Sequence, residues 1–232
     1  MCSRYSISVH LKVLAEKLDV DVPTGYRPRY NAAPAQLLPV ITNENPEGIS
    51  FFYWGASPHF SKEKTLSSKL YNVSLGSLTG GTPVSNEIKI RRCLIPADGY
   101  YIWKKINKTK EVPYRVVVSK VGLFTFAGLW EEYEDDNEQM VHTFKIMTTK
   151  ANSLLQEVSE HMPIILTSEQ KQLWLSKEYS YEALLSLLKP FPAHKMNKFP
   201  ISDRINNLHC DDQRLFDSVP TSGQFGNYTL FN

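Results

Sequence analysis

Apolar residues gather in short runs across the middle of the chain, with the length and spacing of strands. Gln36 to Thr42, Ile49 to Gly55, Tyr114 to Ser119, Leu123 to Trp130 and Thr143 to Thr149 are rich in Val, Ile, Phe and Thr. Each is bounded by turn residues. The run from Leu123 to Trp130 is almost continuously apolar, as a strand covered on both faces would be. Helical signals are fewer. Thr167-Ser168-Glu169-Gln170 reads as a capping box ahead of Leu173 and Trp174. Ser180 is placed to cap a helix whose Tyr181, Leu184, Leu185 and Leu188 share one face before Pro190 stops it. His10 to Leu18 is a third candidate. The pattern predicts a mixed α+β fold with a curled, barrel-like sheet at its core.

No repeat and no linker divides the chain, so residues 1–222 are expected to form one domain. The polar and aromatic stretch from Gly223 to the end is expected to be a frayed tail. Glu131, Glu132, Glu134, Asp135, Asp136 and Glu138 form an acidic run between two strands and predict a solvated hairpin tip, away from any DNA. Trp54, Trp103 and Trp130 lie within strand-like segments and are expected in the core.

Composition narrows the function classes. The chain has 232 residues, 42% hydrophobic and 22% charged, which fits a globular protein with a substantial core. Net charge is only +2, so nucleic acid would have to meet a local basic groove. Cys2, Cys93 and Cys210 are odd in number and widely spaced, which argues against a disulfide framework or a zinc site. No metal or other cofactor is expected. His10, Lys12 and Glu16 interrupt the region a signal peptide would need, and no apolar run approaches the ~18 residues of a membrane helix. A cytoplasmic monomer is expected, with no membrane partner.

Cys2 carries the most chemistry. If Met1 is removed, one residue bears an α-amine with a reference pKa of about 7.7–8.0 and a thiol with one of about 8.5. An aldehyde condenses with the amine to a Schiff base, and the thiol then closes a five-membered thiazolidine. The ring-opened sugar of an abasic site is such an aldehyde. Taken alone, a cysteine at position 2 is a weak signal, and an inert second residue, with Met1 retained or the terminus disordered, is the favoured reading.

An ordered set of segments adds to this. Met1-Cys2-Ser3-Arg4-Tyr5, Arg29-Tyr30-Asn31-Ala32-Ala33-Pro34, Trp54-Gly55 and Arg92 through Tyr101 come first. Phe126 through Glu131, Thr148 through Asn152, Met162 through Leu166, Phe199 through Ser202 and Ile205-Asn206-Asn207 follow. Together they resemble the SOS-response-associated peptidase (SRAP) family along nearly the whole chain. The resemblance implies a barrel-like α+β domain with a basic groove for single-stranded DNA. It implies that Cys2 lies at the floor of the groove and cross-links to an abasic site after Met1 is lost, by self-processing in the sense of the family's peptidase label.

The chain departs from the family pattern at several positions. Where the family has Asn-Ala-Arg, this chain has Asn72-Val73-Ser74, which keeps the Asn that would orient Cys2 or substrate and loses a phosphate contact at Ser74. The family's Tyr-Glu-Trp is Tyr101-Ile102-Trp103, so the expected proton-transfer carboxylate is absent. Ser159 stands at the family's histidine and His161 at its nearby arginine. A general acid or base contributes about 10²–10⁴-fold to rate, so these losses predict slower chemistry. Glu160 and His161 are the nearest candidates to compensate; the alternative for His161 is a partly exposed polar residue before a strand. His142 and His194 are expected at the surface.

For DNA, Arg4 is the leading phosphate candidate, with Arg91, Arg92 and Lys104 beside the long signature. His59 and Phe60 would supply stacking faces after the Trp-Gly pair, unless Phe60 is core. Three functions remain open: a covalent abasic-site sensor, a weakened relative that binds single-stranded DNA without a bond, and a cysteine peptidase acting on other proteins. The last lacks a base beside Cys2.

Overall fold

The computed structural model describes residues 2–57, 68–77, 83–135 and 137–220. Met1, His59, Phe60, Asp136 and the expected tail from residue 223 lie outside them. In chain order the elements begin with β1 (Tyr5–Ile7), α1 (Leu11–Leu18), β2 (Arg29–Ala32), β3 (Leu37–Thr42), β4 (Ser50–Trp54), α2 (Ser68–Tyr71) and β5 (Asn72–Ser74). Next come α3 (Pro83–Ile90), β6 (Arg92–Ala97), β7 (Gly99–Lys105), β8 (Glu111–Val118), β9 (Phe124–Glu134) and β10 (Met140–Lys150). The chain continues through β11 (His161–Pro163), β12 (Ile165–Leu166), α4 (Ser168–Leu175), α5 (Tyr181–Leu187) and β13 (Met196–Pro200).

Five strands close on themselves. β4 pairs with β3, β3 with β6, β6 with β9 and β9 with β10, all antiparallel. The ring shuts where β10 runs parallel to β4, at Thr143 opposite Tyr53 and Phe144 opposite Trp54. The α+β, barrel-like expectation therefore holds. Large side chains fill the barrel, as the small bore of so few strands requires. Gly128 makes room for them: a Cβ there would sit 2.2 Å from Ile95 Cδ1 and 2.9 Å from Cys93 Sγ.

The first half of β10 belongs to the barrel, and its second half leaves it. Beyond the seam, β10 pairs in parallel with β5, at Ile146 opposite Asn72 and Thr148 opposite Ser74. Its other edge takes β11, at Lys150 opposite His161. A second, open sheet runs β13-β8-β7-β1-β2. In it β1 is an interior strand, held by Tyr5 opposite Ala32 on one side and Tyr100 on the other. The strand period of two sorts β7 between two cores. Tyr100 and Ile102 join the main core, which also contains Cys2, while Tyr101 and Trp103 face a smaller cluster with Ile201, Ile205 and Leu215.

The helix signals were read at the right places. Thr167 and Gln170 form a reciprocal capping box, Ser180 accepts from the Ala183 N–H, and His10 caps α1.

Several expectations are corrected. Arg92 does not face DNA. It is 1% exposed. Its guanidinium donates to the carbonyls of Ile88, Lys89, Trp174 and Ser176 at 2.6–2.7 Å. These carbonyls close the C-terminal ends of α3 and α4, where the helix dipoles are negative, so a buried cation without a carboxylate is tolerated. Arg91 is not a free phosphate ligand either. It bonds Glu132 at 2.7 Å and lies over the Trp130 ring at 5.2 Å. The acidic run is only partly a hairpin tip, because Glu131 and Glu132 lie on β9 and pair with Lys145 and Arg91. His142 has partners: it stacks on Phe52 at 4.8 Å and reaches Glu132 at 3.5 Å. Trp54 and Trp130 are core, but Trp103 is half-buried and bonds Asn206.

Candidate functional site around Cys2

Cys2 is fixed because the chain enters an interior strand directly after it. The Tyr101 N–H of β7 donates to the Arg4 carbonyl at 3.1 Å, which ties down the residues ahead of β1. The second hold comes from β5. Asn72 Nδ2 donates to the Cys2 carbonyl at 2.7 Å, across 70 residues of sequence.

Asn72 is itself placed by the barrel seam. β5 lies along the part of β10 that has left the barrel, and Asn72 is opposite Ile146. The preceding Trp-Gly pair fixes the approach. Trp54 Nε1 donates to the Tyr71 carbonyl at 2.8 Å. Gly55 has φ +82°, and a Cβ there would meet Tyr71 Cβ at 2.6 Å. Only glycine allows β4 and the end of α2 to come this close.

Cys2 is 1% exposed. Burial pushes its thiol up to about 12, against the opposing pull of nearby positive charge, including Arg4. Sγ lies in a weak contact, 3.7 Å from the Arg4 carbonyl. Arg4 is half-buried; burial lowers its pKa, opposed by Tyr71 and Cys2. Its Nη1 donates to the Ser3 carbonyl, while its Nε has no partner among the described residues. The Tyr5 and Tyr100 hydroxyls and Asn72 Oδ1 are also buried without partners among the described residues. Tyr5, Tyr71 and Tyr100 each couple electrostatically to the Cys2 thiol. The site is thus a buried thiol within electrostatic range of three phenols, with several polar atoms unmatched among the described residues. Such atoms are uncommon in a folded interior and concentrate where ligands or chemistry are accommodated.

The other sequence candidates fall as follows. Ile102 is buried in the same core as Cys2 and brings no ionisable group there. Ser159 Oγ donates to the His161 carbonyl at 2.7 Å. His161 is half-buried at the start of β11, and Glu160 is exposed. Ser74 Oγ accepts from the Gly76 N–H within its own loop. Lys104 is half-buried on β7, and Glu157, hydrogen-bonded to Lys198, feels its charge. Among the described residues no cluster of His, Cys, Asp or Glu is arranged to hold a metal. No helix among them is long and apolar enough to cross a membrane.

Residues 1–208 match the family described as SOS response associated peptidase (SRAP). The chain belongs to the SRAP family. Its relatives include abasic site processing protein YoqW of Bacillus subtilis (strain 168), 30% identical over 223 residues that span 94% of this chain and all of YoqW. Abasic site processing protein YedK of Escherichia coli (strain K12) is 23% identical, over 94% of this chain and all of YedK. A crystal structure of a protein from Bacteroides thetaiotaomicron has the same fold, with a TM-score of 0.81 at 23% identity over 94% of this chain and 100% of that one. Within this SRAP fold, Cys2 and Asn72 are in direct contact, while Arg92 is held elsewhere.

Proposed function

We propose that this SRAP protein processes abasic sites in single-stranded DNA through a covalent bond at Cys2. Removal of Met1, by self-processing, frees the Cys2 amine. The amine adds to the aldehyde of the opened sugar, water leaves, and the sulfur closes a thiazolidine on the resulting imine carbon. The thiol proton ends on nitrogen. Proximity within one residue supplies much of the rate. Asn72 holds the Cys2 carbonyl, and Arg4, with Lys104 farther along β7, meets the phosphates.

The observation that carries this reading is the Asn72–Cys2 bond. It holds residue 2 through a side chain 70 positions away, which supports a role for a fixed Cys2. The relatives' names, abasic site processing proteins, support the choice of substrate. The test is to incubate the protein with single-stranded DNA containing one abasic site and run a denaturing gel, with intact-mass measurement of the terminus. A covalent band lost in Cys2→Ala, with Met1 absent, is the expected result. No band overturns it.

One observation favours a second reading, non-covalent binding by a weakened relative: Ile102 and Ser159 leave the thiol, pushed up to about 12, without a carboxylate or imidazole at the family positions. A mobility shift without a covalent band identifies that case.

A further inference from the structure

We infer that a cavity between the end of β8, the start of β9 and the first turn of α4 binds a small aliphatic monocarboxylate. The inference does not depend on what Cys2 does. Position comes from the strand period. Along β9, Phe124 and Phe126 turn one way, and Thr125, Ala127 and Leu129 turn the other. Leu129 is opposite Arg92, and Arg92 reaches the carbonyls of Trp174 and Ser176 at the end of α4. Paired residues share a face, so Thr125 lies on the side that α4 covers. Thr125 is itself opposite Leu166, which precedes Thr167, the N-cap of α4. The Thr125 side chain is therefore directed toward the beginning of this helix.

A cavity of about 280 Å³ opens there, and Thr125 is part of its wall. Val118, Leu123, Phe124 and Phe191, all buried, supply its apolar lining. The volume is just below the roughly 300–1,000 Å³ common for ligand pockets, so the occupant is small. Thr125 is 0% exposed, and its hydroxyl has no hydrogen-bond partner among the described residues. A buried hydroxyl left unpaired is costly. This one borders a space that a ligand atom can enter.

Charge decides the class of ligand. Lys171 and Lys195 both line the cavity, and its acidic wall residue is Glu169. Glu169 is engaged in the helix cap, where its carboxylate accepts from the Thr167 hydroxyl at 2.8 Å. Two ammonium groups against one carboxylate leave a single positive charge, which a monoanion balances. Lys171 is one turn into α4, with its N–H on the Thr167 carbonyl at 3.0 Å, and it is half-buried. Burial lowers its pKa, so an anion beside it is favoured. Thr125 and Lys171 thus flank the same helix start. They take the carboxylate, and the aliphatic body lies against Val118, Leu123, Phe124 and Phe191.

The test titrates the full chain, with its methyl groups carbon-13 labelled, with hexanoate and follows it by NMR. Hexanoate is expected to bind one per chain with a Kd below about 1 mM. It should move the methyl signals of Val118, Leu123, Thr125 and Ile165. Hexanol and hexylamine carry the same chain without the negative charge and are expected to bind about tenfold more weakly. Thr125→Val keeps the shape, removes the hydroxyl and is expected to weaken hexanoate about tenfold. Lys171→Met is expected to weaken hexanoate by about as much and to leave hexanol unchanged. It also serves if Thr125→Val fails to fold. No saturable shift with hexanoate up to about 10 mM overturns the inference, as do saturable shifts confined to methyls away from this cavity. Equal affinity for hexanoate and hexanol overturns the carboxylate class. Unchanged hexanoate affinity in either variant overturns the site as described.

Discussion

Arg92 and Arg4 are both arginines buried to some degree beside backbone carbonyls, and both stand out in the sequence as candidates for phosphate. Their surroundings differ completely. Arg92 uses Nε, Nη1 and Nη2 on four carbonyls from two helix ends. Arg4 uses Nη1 on its neighbour Ser3 and leaves Nε unmatched next to a buried thiol. The first region is complete as it stands. The second still has a donor to offer. A polar side chain with every bond made contributes to stability, and one with bonds unmade is open to a further partner.

Three experiments break or sharpen this contrast. Arg92→Ala leaves four carbonyls without a charged donor and uncaps two helices. It is expected to destabilise the protein by about 4 kcal/mol in urea denaturation. A loss under about 1 kcal/mol would mean the clamp is not structural. Gly55→Ala forces a left-handed residue to carry a Cβ against Tyr71. It is expected to cost about 2–3 kcal/mol, from strain and from displacement of β5. It should also abolish the covalent band at temperatures where the variant is still folded, because Asn72 no longer reaches Cys2. Retention of the band would detach the Trp-Gly pair from the site. Arg4→Ala is expected to change stability by less than about 1 kcal/mol, since it removes a single bond to a neighbouring carbonyl. Its effect appears instead in DNA binding, where the slope of log affinity against log salt falls by about 0.7 for one lost phosphate contact to a single strand. An unchanged slope would remove Arg4 from the DNA surface.

What the sequence disclosed follows the range of the interactions. The capping box at Thr167 and Gln170 spans three residues and was legible there. The strands at 37–42 and 50–54 were legible because composition and turns are local signals. β10 was found but truncated, since Met140 to His142 are paired only through their partners on β9. Arg92 misled for the opposite reason. A charged residue in a basic stretch reads as surface, and the carbonyls that bury it include two more than 80 positions away. The role of Cys2 was proposed from its chemistry and a family resemblance; no local pattern announces that Asn72 touches it. The bond from Trp54 to the Tyr71 carbonyl was invisible because it depends on a helix end pressed against Gly55.

The barrel seam also has a consequence in time. The strand that positions the clamp on Cys2 is β10, whose Ile146 aligns Asn72, more than 140 residues farther along the chain. Pairings this distant in sequence form late. The hold of Asn72 on the Cys2 carbonyl therefore coincides with closure of the barrel, and the backbone at Cys2 stays loose until that closure is made.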